Sequence, residues 1–433
     1  MNVSKFGKKI AVQSGIGQLM DDLGAALAGH RDMLMLGGGN PAHIPAMQQR
    51  FRRGMAAMLD DGGRFDRAVG NYDPPQGNRV FCEAIAGLLK QQFGWDISRR
   101  NIAITHGSQS AFFILFNLLA GECEDGTTRK ILFPLSPEYI GYADVGLGPG
   151  LFTSQRPRIE DIDDHVFKYH IDFDKLRIGD DIGAVCVSRP TNPTGNVLTG
   201  AELEKLSGLA HAKGVPLIID NAYGTPFPDI IYTDADPIWD PNTIVCMSLS
   251  KLGLPGVRTG IVIAREEIVE MVARVNAVMS LAPGGAGAAI VADMIRSGEI
   301  IAASREVVRP FYETKMQEAV ARVHECFQGL DYRVHKPEGA FFLWLWFPNL
   351  PITSQQLYER LKQRNVLVVP GHYFFPGLEE PWPHTNECLR VSYAQDAAVV
   401  AAGIQAIADE VRRASPDGCE WPRQSQSGLT ADE

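Results

Sequence analysis

Between residues 102 and 264 the chain repeats one pattern: a short, unbroken apolar run rich in Ile and Val, then an amphipathic stretch with turn residues at its ends. Strands buried on both faces have that continuous composition, and parallel neighbours need a crossover, usually a helix, between them. The pattern predicts strands over Ile102–Thr105, Lys130–Phe133, Ala184–Ser188, Pro216–Asp220, Ile244–Ser248 and Gly260–Ala264. Between the third and fourth, Thr199 and Glu202 have capping-box spacing and open a helix that runs through LEKLSGLAHAK to Gly214. An α/β layered domain with a mostly parallel sheet follows.

Beyond about residue 300 the pattern changes to a long amphipathic helix, an apolar strand over Ala340–Trp346, a helix near Ser354–Arg364 and a further strand over Val366–Val369. These elements predict a second, smaller α/β unit. Residues 415–433, SPDGCEWPRQSQSGLTADE, are polar and aperiodic and read as a loose tail.

Composition narrows the partners. With 21% charged residues and a net charge of −10, the chain lacks the basic footprint of a nucleic-acid or anionic-membrane binder, which leaves small metabolites. No apolar run approaches the roughly 18 residues that cross a bilayer, and MNVSKFGKKIAVQSGIGQLM lacks the apolar core and cleavage site of a signal peptide. A cytoplasmic location is the expectation. The seven cysteines form no CxxC pair and suit reduced thiols, which offers neither a disulfide framework nor a zinc site; no metal is expected.

The candidate chemistry begins at Lys251, in Ser248-Leu249-Ser250-Lys251-Leu252-Gly253-Leu254-Pro255-Gly256-Val257-Arg258-Thr259-Gly260. An amine that attacks an aldehyde, such as that of pyridoxal phosphate, must be neutral, and a nearby cation and desolvation both favour that form. Ser248, Ser250 and Arg258 suit a phosphate dianion, and the glycines allow close backbone approach. A lysine in a surface turn is the plain alternative. Asp220 closes an apolar strand, where parallel sheets place ligand-binding groups, and its carboxylate suits a protonated pyridine nitrogen. Tyr223 can donate to a phenolic oxygen on the same ring, although an Asp after a strand also serves simply as a turn former.

Arg189-Pro190-Thr191-Asn192-Pro193-Thr194-Gly195 follows another strand and offers the Asn192 amide, or is only a rigid loop. Thr105-His106-Gly107-Ser108-Gln109 leads into the apolar AFFILFNLLA, a glycine turn opening a helix whose first amides suit phosphate; Ser108 serves equally as an N-cap. Tyr139 follows a strand and either stacks on a flat ring or belongs to the core. Arg390, in the alternating strand CLRVSY, either sits at an exposed edge or, if buried, requires a partner such as a substrate carboxylate.

As an ordered set, from Gly37-Gly38-Gly39-Asn40-Pro41 to the Arg390 strand, these segments resemble the fold-type I, class I/II aminotransferases of the aspartate aminotransferase superfamily. The resemblance implies a large domain with a mostly parallel seven-stranded sheet between helices over 46–305, and a smaller α/β domain from 1–45 and 306–414. It implies that Lys251 binds pyridoxal 5′-phosphate and moves the substrate's Cα proton. Asp220 is implied as the pyridinium partner, Tyr223 and Asn192 as ring-oxygen partners, and Tyr139 as the stacking aromatic. Ser108, Gln109, Ser248, Ser250 and Arg258 are implied as the phosphate cup. Arg390 is implied as the α-carboxylate clamp, with Asn192 and the backbone at Gly39. Tyr72, in NYDPPQG, resembles the tyrosine that reaches the neighbouring subunit's phosphate, which implies a homodimer.

Long strings, among them LGGGNPAHIP, THGSQSAFFILFNL, SPEYIGYADVGL and HKPEGAFFLWLWF, resemble one branch of that family, which exchanges an amino group between valine and pyruvate. Other amino acids with 2-oxoglutarate, and elimination or decarboxylation on the same cofactor, are the rival chemistries. The Lys251-to-Arg258 interval is one residue shorter than in the family's aspartate enzymes, and no second arginine for a side-chain carboxylate is evident.

Overall fold

A computed structural model describes residues 2–11, 17, 21, 24 and 33–415. Its larger sheet is built from β1 (Ile102–His106), β2 (Thr128–Phe133), β3 (Phe152–Ser154), β4 (Ile182–Ser188), β5 (Leu217–Asp220), β6 (Thr243–Ser248) and β7 (Thr259–Ile263), with a two-residue strand, Gly121–Glu122, as an eighth member. The spatial order is β1-β7-β6-β5-β4-β2, and β3 pairs with β2. Strands β6, β5, β4, β2 and β3 are mutually parallel, while β7 runs antiparallel to both neighbours. Only ten residues separate β6 from β7, too few for a crossover helix, so the chain turns back directly.

Every residue of β4, β5, β6 and β7 is buried, as strands covered on both faces require. One face packs on the helix Ser108–Leu119 through Phe112, Leu115 and Phe116, and the other on the helix Arg79–Phe93 through Ile85 and Leu89. The predicted capping box is present: Glu202 N donates to Thr199 Oγ1 at 3.2 Å and Thr199 N to Glu202 Oε2 at 2.9 Å, which opens the helix Gly200–Ala212.

The second sheet has six strands and includes β8 (Phe342–Trp346) beside β9 (Cys388–Ser392). Two more of its strands, Arg158–Asp161 and Val166–His170, come from within the 46–305 span, so the chain passes between the two sheets more than once. The expected strand over Ala340–Trp346 begins later, at Phe342, because Ala340 has a left-handed φ of 58°. The expected Val366–Val369 strand splits at Val368. Val366–Leu367 pairs with Leu34–Met35, and Val369–Pro370 with β9.

No helix among the described residues is long and apolar enough to cross a membrane. The tail expected over 415–433 lies, apart from Ser415, outside the described residues.

Candidate active site

The carboxyl ends of β1, β4, β5 and β6 and the start of β7 meet at one rim, where a cavity of about 430 Å³ opens. Apart from Ser248 and Tyr72, every site residue singled out from the sequence lines it.

Lys251 follows β6 and donates from Nζ to the Gly39 carbonyl at 2.7 Å. Burial pushes its amine down to about 8, and the positive charges of Arg390 and Arg258 act in the same direction against the carboxylate of Asp220. Its Nζ lies 5.5 Å from the ring centre of Tyr223 and 5.7 Å from that of Phe341. An amine so placed is a nucleophile and a proton acceptor at mildly basic pH.

Asp220, the last residue of β5, accepts from the Tyr142 hydroxyl at 2.6 Å and from Ala222 N at 3.0 Å. Burial raises its carboxyl, and these two bonds with the charge of Lys251 pull it back. Tyr223 is buried, yet its hydroxyl has no protein partner. A buried donor facing a cavity without a partner is costly, and a bound ligand oxygen removes that cost.

A second group of donors gathers where Gly107 leads into the helix Ser108–Leu119. No side chain caps that helix, so its first amides remain available to an anion. Arg258 lies across the turn. Its guanidinium donates to Ser250 Oγ at 3.3 Å and to the His106 carbonyl at 3.4 Å, and its backbone takes a left-handed φ of 47°. That conformation brings the side chain to the cavity despite the shorter loop. Gly107 has a φ of 79°, and a Cβ there would lie 2.2 Å from Arg258 Nη2.

The members expected alongside these donors divide. Ser108 borders the cavity, and Gln109, which also borders it, donates to the Gly141 carbonyl at 2.8 Å. Ser248 lies behind the wall, where its Oγ accepts from Ser250 N at 3.1 Å and shapes the loop. Its sequence position beside Ser250 does not reveal that the intervening residue turns the two hydroxyls apart.

Arg390, in β9, is buried. It donates to Asn192 Oδ1 at 2.8 Å and to the Gly37 carbonyl at 2.6 Å, and it lies 4.3 Å over the ring of Phe342. Its Nε has no partner, and burial lowers the guanidinium to about 10. A carboxylate would neutralise a cation held at such cost. Tyr139 borders the cavity, its ring so close to Gly141 that a Cβ there would lie 2.3 Å from it. Tyr72 is 81% exposed, outside this chain's own cavity.

Tyr142 and Glu138 were not singled out from the sequence, although both flank Tyr139. The buried Glu138 accepts from Ser188 N at 3.0 Å and from the Ser188 hydroxyl. The residues present fit pyridoxal phosphate: an amine, a carboxylate, an unpartnered phenol and an anion-binding helix start surround one space.

The family model for aminotransferase class I and II matches residues 32–407. The chain is 53% identical over 414 residues to the valine–pyruvate aminotransferase of Escherichia coli (strain K12), with 96% of this chain and 99% of that protein covered. Crystal structures of a putative amino-acid aminotransferase from Psychrobacter arcticum 273-4 and of valine–pyruvate aminotransferase from Salmonella typhimurium LT2 superpose with TM-scores of 0.93 and 0.85. Their identities are 44% and 52%, over 95% and 92% of this chain and 99% of each structure.

Proposed function

The chain belongs to the class I and II aminotransferases, a pyridoxal-phosphate-dependent family, and from that premise we propose that it exchanges an amino group between L-valine and pyruvate. The products are 3-methyl-2-oxobutanoate and L-alanine. The carrying observation is the provision for carboxylates. Among the described residues two arginines line the cavity: Arg390, on the side of β9, and Arg258, which is engaged among the donors around Gly107. One carboxylate clamp among the described residues suits substrates with one carboxylate, such as valine and pyruvate, better than 2-oxoglutarate or aspartate. The half-identical relative of that named activity supports the same reading.

Bound in this cavity, pyridoxal phosphate supplies an aldehyde that accepts the amino group and a ring that withdraws electrons from the substrate Cα. Lys251 would hold the cofactor through Nζ, and the same amine would carry the substrate's Cα proton. Asp220, held by Tyr142, would pair with the ring nitrogen. Tyr223 and Asn192 would donate to the ring oxygen, and Tyr139 would be the stacking aromatic. Ser108, Gln109, Ser250, Arg258 and the helix amides bind the phosphate, with Ser248 shaping that loop. Arg390 orients the α-carboxylate, with Asn192 and the Gly39 backbone, so that the Cα–H bond faces Lys251. The same residues would serve pyruvate as the acceptor, which would leave as alanine.

Tyr72 completes the phosphate site of a second copy in a homodimer, and the protein works in the cytoplasm. The test supplies L-valine and pyruvate to the cofactor-loaded protein, with 2-oxoglutarate replacing pyruvate in parallel. Alanine matched by equal 3-methyl-2-oxobutanoate, with little glutamate in the parallel reaction, is expected. Glutamate without alanine would overturn the acceptor.

A further inference from the structure

Glu138 is a fully buried carboxyl one residue before Tyr139 and four before Tyr142. Three anchors hold it. Ser188 N donates to its Oε1 at 3.0 Å, the Ser188 hydroxyl donates to its Oε2, and its own backbone N–H donates to the Phe374 carbonyl at 2.7 Å. Ser188 ends β4, pairs in register with Asp220 on β5 and borders the cavity. The ring of Phe374 lies 5.2 Å from the Arg390 guanidinium carbon. The loop that carries Tyr139 and Tyr142 is therefore tied at one residue to the strand beside Asp220 and to the segment beside Arg390.

We propose that Glu138 is a positioning residue of the cofactor site, its carboxyl fixing this loop against Ser188 so that the Tyr142 hydroxyl meets Asp220. It touches neither cofactor nor substrate. What it contributes is reach and hydrogen bonding, not charge. Burial lifts its carboxyl to about 8, the bonds from Ser188 opposing and the charge of Asp220 adding to the rise. The other titratable groups coupled to it are Tyr142 on the same loop and Cys186 on β4.

The inference rests on the cofactor occupying this cavity, which titration of the wild-type apoprotein with pyridoxal phosphate tests by itself. Two variants separate reach from charge. Glu138→Gln keeps the length and an oxygen acceptor for Ser188 N; Glu138→Asp keeps the carboxyl and withdraws it by one methylene. Apoproteins of both are titrated with pyridoxal phosphate, followed by absorbance, and their thermal unfolding is recorded without cofactor. The expected result is a dissociation constant within about threefold of wild type for Gln and raised about tenfold for Asp, the worth of one hydrogen bond. Turnover should follow the same order. Unchanged affinity in both variants, including the case where only their thermal stability falls, overturns the proposal. So does a Gln variant weakened as much as or more than Asp, because charge would then be the operative property.

Discussion

The Tyr142 hydroxyl donates to Asp220 Oδ2 at 2.6 Å, across 78 residues of chain. Both groups are buried, and the tyrosine proton is retained because burial and the adjacent carboxylate push the phenol well above its ordinary value. The bond therefore stabilises the ionised form of Asp220, the form its proposed pairing with a ring nitrogen uses.

Tyr142→Phe removes only that hydroxyl. A hydrogen bond to a charged group contributes roughly 1.5–3 kcal/mol, so kcat should fall roughly ten- to a hundredfold, with little change in the KM for either substrate. Steady-state kinetics with L-valine and pyruvate provide the check. An unchanged kcat would remove Tyr142 from the site's working parts.

Lys251 sets a pH dependence for loading the apoprotein. Only the neutral amine attacks the aldehyde, and with its value near 8 the neutral fraction climbs as pH rises from 7 to 9. The rate of cofactor capture should rise through that window and level off above it, which stopped-flow absorbance can follow. Lys251→Ala should lose turnover by on the order of ten-thousandfold.

Arg390→Lys keeps the charge and loses the planar fork that spans Asn192 and Gly37. The KM for valine and for pyruvate should both rise about tenfold or more, since both present the same carboxylate. Initial rates varied in each substrate separate this outcome from a loss confined to kcat.

Gly107→Ala places a Cβ 2.2 Å from Arg258 Nη2, on a residue whose φ is 79°. That backbone, with a ψ of 163°, is one that essentially only glycine adopts, and it alone costs an alanine roughly 1–3 kcal/mol. The guanidinium must also move from the helix start. Cofactor affinity should drop about tenfold, measured by equilibrium titration, with a lowered melting temperature.

Tyr72 is exposed on this chain, and its proposed role is at the phosphate of a second copy. Tyr72→Ala and Lys251→Ala proteins, each impaired alone, should recover activity when unfolded together and refolded, because mixed dimers contain one intact site. No recovery would place Tyr72 outside the neighbouring site.

Strands β4 to β7 were legible because each is a continuous apolar run buried throughout, whereas the short, half-buried β3 and Gly121–Glu122 have no such run and were not foreseen. The reversed direction of β7 was not legible in its residues, since a buried strand has the same composition in either direction. What marks it is the ten-residue interval from β6. Ala340 and Val368 escaped for another reason: a left-handed alanine and a change of strand partner leave no trace in apolar patterning. Lys251, Asp220 and Arg390 were legible as a set because each sits in or beside a predicted strand. Glu138 and Tyr142 read as ordinary loop residues, and their roles depend on partners 50 and 78 positions away that only folding supplies.

The direct return from β6 to β7 has a mechanical consequence. Lys251 and Arg258 ride on one short excursion whose ends are clamped together, Ser248 facing Gly260 in register and Leu249 N bonded to the Thr259 carbonyl at 3.1 Å. The amine and the guanidinium that the proposed function sets on the cofactor's aldehyde and phosphate are thus held at a fixed spacing. Arg390 belongs to the other sheet, joined to this frame through side-chain and loop contacts.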